Sequence, residues 1–246
     1  MLVVLRESPD RKMEPAAPLD VLCEDGPVLA VNKPAGLLTQ GVPEGLPTLE
    51  HAVREYIKEK YSKPGNVYLG IPHRLDRPTS GVIVFARNSK AAARLAEQFH
   101  DRRVQKEYLA IVEGLPTDPE GTLSDWLLKD AAKSHVECVP PETPGAKEAS
   151  LHYEIIATKE QCCLLRVQPR TGRMHQIRVQ LAARGWPVRG DVQYGSSAPF
   201  VAAEKPGDVI ALHAHRLTIL HPVRYDELTI TAPLPACWSE LGFEAP

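Results

Sequence analysis

Apolar positions in this chain fall mostly into short runs bounded by glycine, proline and aspartate. Val21–Glu24 and Val28–Asn32 flank Asp25-Gly26-Pro27, the pattern of a hairpin. Gly81–Arg87 reads GVIVFAR, a β-branched run suited to a buried strand. Tyr108–Val112, Ala149–Ala157, Cys163–Val167, Ile210–Leu220 and Leu228–Thr231 predict further strands. Helical spacing appears in three places. Thr48 precedes Leu49, Val53 and Ile57, so it should cap a helix over 49–61. Ser89 can cap a second helix with Ala92, Leu95, Ala96 and Phe99 on one apolar face. Met174–Arg184 predicts a third, apolar at Met174, Ile177, Leu181 and Ala182, with Gly185 placed to end it. The tail from Pro235 predicts one helical turn.

Strands outnumber helices without regular βαβ alternation. That pattern predicts an α+β fold, with a central mixed and largely antiparallel sheet flanked by helices and loops. A chain of 246 residues fits one large lobe or two small ones. The polar, proline-bearing residues 1–18 read as a loose lead-in, and 19–246 as one catalytic domain. Pro34, Gly36, Gly41, Pro43, Gly45 and Pro47 mark a loop, and five prolines within 116–150 suggest a protruding arm or hairpin.

Composition adds little, with 43% hydrophobic and 24% charged residues, both ordinary for a globular chain. Cys23, Cys138, Cys162, Cys163 and Cys237 form no CxxC and no zinc-finger spacing, so free thiols and no structural metal are expected. The opening apolar run is too short for a signal peptide, and no stretch is long enough to cross a bilayer, which predicts a cytoplasmic protein.

Charge changes the picture more. Net charge is −2, which by itself speaks against a nucleic-acid partner. Yet residues 166–190 hold six arginines and no acid, and residues 70–107 hold eight Lys/Arg against four acids. The chain therefore divides into a basic face and an acidic body, and converging cations suit RNA despite the moderate charge.

The densest chemistry is in His73-Arg74-Leu75-Asp76-Arg77-Pro78-Thr79-Ser80-Gly81. A carboxylate flanked by two arginines has its charged form favoured, which suits nucleophilic attack better than proton donation. Arg170-Thr171-Gly172-Arg173-Met174-His175-Gln176-Ile177-Arg178 opens the third helix, where free backbone N–H groups and arginines favour an anion, either an RNA phosphate or Asp76 itself. Tyr108, at a strand start, can stack on a base or pack as an ordinary rim residue. The turn Asn32-Lys33-Pro34-Ala35-Gly36 can lend Lys33 to a site or serve as a plain hairpin exit, and 190–195 reads alone as an ordinary turn.

In order, HRLDRPTSG, KEYLAIVEG, RTGRMHQIRVQLAARGWPVRGDVQYG and LHAHRL, with the opening VLCEDGPVLAVNKPAGLL, resemble the RluA-type pseudouridine synthases from about Leu19 to Trp238. The resemblance implies isomerisation of a specific uridine to pseudouridine in ribosomal or transfer RNA, without cofactor or metal, by a monomer expected to lack an N-terminal accessory RNA-binding domain. It implies that Asp76 is the catalytic carboxylate, acting at ribose C1′, at uracil C6 or on the C2′ proton. Arg173 is the residue implied to pair with it, and Tyr108 the one that stacks on the base. Arg74 is implied to replace the extruded nucleotide, and Ile177 to pack in the base pocket. Arg77, Arg170, His175, Gln176 and Arg178 complete the expected RNA-binding set. Pro78 and Gln180 depart from the common pattern. The competing expectation is an RNA-binding module that keeps the fold without the chemistry.

Overall fold

The computed structural model describes residues 18–41, 47–130, 134–198, 200, 205 and 207–243. Residues 1–17 of the expected lead-in over 1–18, and loop positions Pro43 and Gly45, lie outside them. One ten-stranded sheet organises the chain. Its strands are β1 (Val21–Asp25), β2 (Val28–Lys33), β3 (Ser80–Ala86), β4 (Gln105–Glu113), β5 (Glu120–Asp130), β6 (His135–Val139), β7 (Lys147–Lys159), β8 (Cys162–Pro169), β9 (Leu212–Leu220) and β10 (Glu227–Thr231). They lie in the order β1-β2-β3-β9-β4-β8-β7-β5-β6, with β10 paired to β9.

The β3–β9 pairing is parallel and the other strand pairings are antiparallel, so the sheet is mixed and largely antiparallel as the sequence predicts. The parallel contact depends on Gly81. A Cβ there would lie 2.3 Å from the Ala214 carbonyl oxygen, and its φ of +114° also disfavours a side chain. Within the expected arm, β5 and β6 form an antiparallel hairpin at the end of the sheet.

Helix α1 (Leu49–Lys60) starts where its cap dictates, with Thr48 Oγ1 accepting the His51 N–H at 3.2 Å. Leu49, Val53 and Ile57 are buried, each contributing about 2 kcal/mol of apolar burial. Helix α2 (Ser89–His100) is capped by Asn88, whose side chain accepts from Ala91 N at 2.8 Å, and not by Ser89. Its buried face is also turned: Ala91, Leu95 and Gln98 are buried and Ala96 is exposed. Gln98 can be buried because it bonds both the N–H and C=O of Leu220, at 2.8 Å each.

Helix α3 is shorter than its pattern suggested, spanning Gln176–Ala182. His175 precedes it with φ +52°, a left-handed break that keeps Met174 and Arg173 out of the helix. A last turn, α4 (Cys237–Glu240), buries Trp238.

Among the described residues three apolar clusters hold the sheet, the smallest packing Leu127, Val136 and Ala149 against Val179 and Tyr194. Of the two larger, one joins β1–β3 and β9 to α1 and α2, and the other joins β4, β7 and β8 to α3 and α4. Tyr108 packs against both of these, at the seam where the site opens. No helix among the described residues is long and apolar enough to cross a membrane.

Candidate active site

Asp76 sits in the loop between α1 and β3. Its carbonyl accepts the Thr79 N–H at 3.1 Å, closing a turn over Arg77-Pro78. Pro78, the third residue of this turn, has its φ fixed by its ring and no N–H to satisfy. The loop is pinned from several sides. Thr39 Oγ1 donates to Leu75 O at 3.0 Å, and Gly36 N donates to Arg77 O at 2.9 Å. The fully buried Lys33 ammonium donates to the carbonyls of Pro34, Leu37 and Arg77 at 2.8, 2.7 and 3.1 Å, which uses its three protons. Burial pushes Lys33 down to about 7, against the attraction of Asp76. His73 accepts the Val84 N–H on Nε2 at 3.0 Å and stacks on Phe99 at 4.4 Å.

A cavity of about 310 Å³ lies over this loop, at the lower end of the usual range for ligand clefts. Its aromatic and apolar walls include His73, Phe99, Tyr108, Ile177 and Leu212. Asp76 is the one carboxylate among the described residues lining it, and Arg74, Arg173, His175 and Arg178 surround it. Tyr108 reaches the cavity from β4, whose pairing with β9 shifts register between Glu107 and Tyr108. Such an irregularity re-aims a side chain. Burial, with the charge of Asp76 adding to it, holds the Tyr108 phenol well above its ordinary range.

The cation beside the carboxylate differs from the one expected. Arg178 Nη1 lies 3.6 Å from Asp76 Oδ2, whereas Arg173 turns its Nε to the Glu148 carbonyl at 3.0 Å. The physical reason is the left-handed residue at His175. With α3 starting at Gln176, its first turn carries Arg178 into the cavity wall, and Arg173 stays in the turn before it, its carbonyl accepting the Gln176 N–H at 3.3 Å. Arg178 is buried and grips Asp191 with Nε at 2.6 Å and Nη2 at 2.8 Å. Burial opposes its charge, but the Asp191 bonds and the two carboxylates outweigh that and raise its pKa.

His175 Nε2 lies 3.9 Å from Asp76 Oδ2, and its Nδ1 is 2.8 Å from Tyr194 Oη. Tyr194 Oη also accepts the Val136 N–H at 3.1 Å. The phenol proton then has His175 Nδ1 as its acceptor, which assigns the ring proton to Nε2, facing Asp76. Burial lowers the His175 pKa, Asp76 working against it, so the ring is neutral at pH 7. Tyr194 also takes the Arg178 guanidinium over its ring at 4.9 Å.

The remaining expected residues divide. Arg74 is exposed at the cavity mouth. Ile177 lines the cavity. Arg77, one of the two arginines flanking Asp76 in sequence, points elsewhere, to Gly36 O at 3.0 Å and Asp208 at 3.3 Å. Gln176 commits its amide to the protein, accepting from Thr171 Oγ1 at 2.6 Å and donating to Ser150 O at 3.0 Å. Arg170 lines a neighbouring groove. Gln180 bonds Asp125 at 2.7 Å, a packing contact away from the cavity. Asp191 and Tyr194 were not assigned to the site in sequence, since GDVQYG reads locally as a turn; the run of six arginines without an acid in 166–190 was the one local signal of a need for a buried acid.

Comparison with known proteins gives a consistent picture. A family model described as RNA pseudouridylate synthase matches residues 27–183. An uncharacterised RNA pseudouridine synthase of Zymomonas mobilis is 36% identical over 226 residues, covering 91% of this chain and 97% of its own. The dual-specificity RNA pseudouridine synthase RluA of Escherichia coli K12 is 37% identical over 216 residues, covering 87% and 93%. The solved structure of human RNA Pseudouridylate Synthase Domain Containing 4 superposes with a TM-score of 0.76 at 25% identity, covering 92% and 94%.

Proposed function

Since the chain belongs to the RluA-type RNA pseudouridine synthases, we propose that its isomerisation of uridine in RNA is carried out by Asp76 on a nucleotide turned out of its stack into the 310 Å³ cavity. The observation that carries this reading is Asp76 as the one lining carboxylate, with Arg178 against its Oδ2 at 3.6 Å.

The net reaction breaks the N1–C1′ bond, turns the uracil and forms a C5–C1′ bond. N1 gains a proton and C5 loses one, so nothing else is consumed. Attack on C1′, addition to C6 and removal of the C2′ proton all require an ionised carboxylate at the nucleotide. The buried Arg178 supplies a fixed counter-charge for it in a site of low dielectric. His175 adds a directed N–H from the other side. Tyr108, with its phenol held protonated, offers an aromatic face for the uracil and is a poor resting base. Ile177 and Leu212 continue that apolar wall. Arg74, exposed at the mouth, is placed to occupy the gap left in the RNA stack or to bind the adjoining phosphate. Arg173 serves as a second cation at the rim.

The test is to incubate purified protein with ribosomal and transfer RNA isolated from cells lacking the gene and to map pseudouridine. New pseudouridine at one or a few positions is expected. Its absence from every RNA would overturn the reading.

A further inference from the structure

A second cavity of about 760 Å³ lies beside the first, over β4, β7, β8 and β9. Arg102, Lys106 and Pro169 line both, so the two share a wall. Its lining carries Arg102, Lys106, Arg170 and Arg216 against one carboxylate, Glu107. Glu107 is only loosely held by Arg216, at 3.7 Å, and is also 3.6 Å from Arg166. Lys106 spends a hydrogen bond on the Thr171 carbonyl at 3.1 Å. Burial first, and the nearby Arg102 second, push Lys106 down to about 8.

Arg102 adds an independent observation. It follows the α2 C-cap Asp101 with φ +59°, a position where glycine is the unstrained choice. An arginine there carries a conformational cost, and its side chain lies at the junction of the two cavities. Apart from Val104 and Pro169 the groove is polar, so it offers a polyanion more than it offers an apolar peptide.

We propose that this groove carries the RNA strand adjoining the target uridine, with Arg102, Arg170 and Arg216 on its phosphates and Arg102 marking where the strand leaves the nucleotide cavity. The proposal rests on the reading of the first cavity as the uridine site. Phosphate contacts of this kind bind without regard to sequence, so a simple probe reports them.

The experiment is fluorescence anisotropy of a fluorescein-labelled oligouridylate of twelve nucleotides, titrated across a range of KCl concentrations with the full chain and with the double variant Arg102→Gly/Arg216→Ala. Removing two phosphate contacts should weaken binding roughly tenfold or more and flatten the salt slope by about 1.4. The melting temperature should hold, because glycine relieves the strain at 102. Ultraviolet cross-linking of the same probe should label peptides from β4 and β8. Unchanged affinity and slope, with cross-links elsewhere, would overturn the proposal; that is also the outcome if the groove serves an acidic protein partner. The two readings fail separately. If no RNA gains pseudouridine but the slope flattens, the function reading falls and the groove stands. If pseudouridine forms and the slope is unchanged, the reverse holds.

Discussion

Arg178 is shared between two carboxylates: its Nη1 lies 3.6 Å from Asp76 Oδ2, while its Nε and Nη2 fork onto Asp191 at 2.6 and 2.8 Å. Asp191 is 1% exposed, so the fork is a buried ion pair that fixes the guanidinium. Asp76 meets the one nitrogen left over. The geometry ties the stability of the site to its chemistry through a single side chain.

Those two roles can be separated. Arg178→Met leaves Asp191 buried without its cation and should cost about 3–5 kcal/mol of stability. Adding Asp191→Leu removes both buried charges and should restore most of that stability. Activity of the double variant should remain down by about a hundredfold or more, the scale of a lost preorganised charge. Thermal melts and pseudouridine kinetics on both variants test this. Recovery of activity along with stability would show that Arg178 serves the fold alone.

Tyr194 links the β5–β6 hairpin to the site through Val136 N–H, Tyr194 Oη and His175 Nδ1. In Tyr194→Phe the buried Val136 amide loses its acceptor, at a cost of about 1–3 kcal/mol. Hydrogen exchange at Val136 should accelerate, and kcat should fall more than KM rises as His175 loses its orientation. Exchange at Val136 identical to the parent chain would remove this link.

Much of the frame was legible in the residues. The β1–β2 hairpin, GVIVFAR as β3 and the Thr48 cap followed from local pattern, because each depends on neighbours close in sequence. Asp76, Tyr108 and Ile177, far apart in sequence, line one cavity. The partner of Asp76 was misread because it depends on where α3 starts. A continuous helical pattern from Met174 hides the left-handed His175, and a break of that kind has no hydrophobic signature. Asn88 as the α2 cap and Gln98 on its buried face were missed for a related reason. Both depend on hydrogen bonds whose partners, the first-turn N–H groups and Leu220, decide the matter only once the helix is placed. Arg77, adjacent to Asp76 in sequence, is drawn off by Gly36 and Asp208.

The buried His213 and the half-buried His73 make the fold sensitive to acid. Burial lowers His213, which bonds Ser80 Oγ at 2.9 Å, to about 4, and burial with Lys106 nearby lowers His73 to about 3, from an ordinary 6.5. Below pH 6.5 the unfolded chain takes up protons that the folded chain does not. Stability should therefore be flat with respect to these groups above about pH 6.5 and fall as pH drops toward 4. Urea midpoints measured across that window should decline, and His213→Asn should decline less steeply. A midpoint independent of pH between 6.5 and 4 would contradict the lowered pKa of both rings.

Thr79 Oγ1 is buried within the Asp76 turn without a hydrogen-bond partner among the described residues. Thr79→Val replaces that hydroxyl with a methyl of similar shape and should stabilise the chain by about 1 kcal/mol. A chemical-denaturation curve decides it. A loss of stability would mean that the hydroxyl is satisfied in solution.

The central claim is that the Asp76 carboxylate acts on the uridine, and Asp76→Asn tests it most directly. The substitution keeps shape and removes the charge facing Arg178. Purified variant and parent chain are incubated with the same modifiable RNA, and pseudouridine is quantified after long reaction times, with RNA binding measured in parallel. The account predicts that pseudouridine disappears while RNA affinity stays within a few-fold of the parent. Substantial pseudouridine from the variant would contradict it.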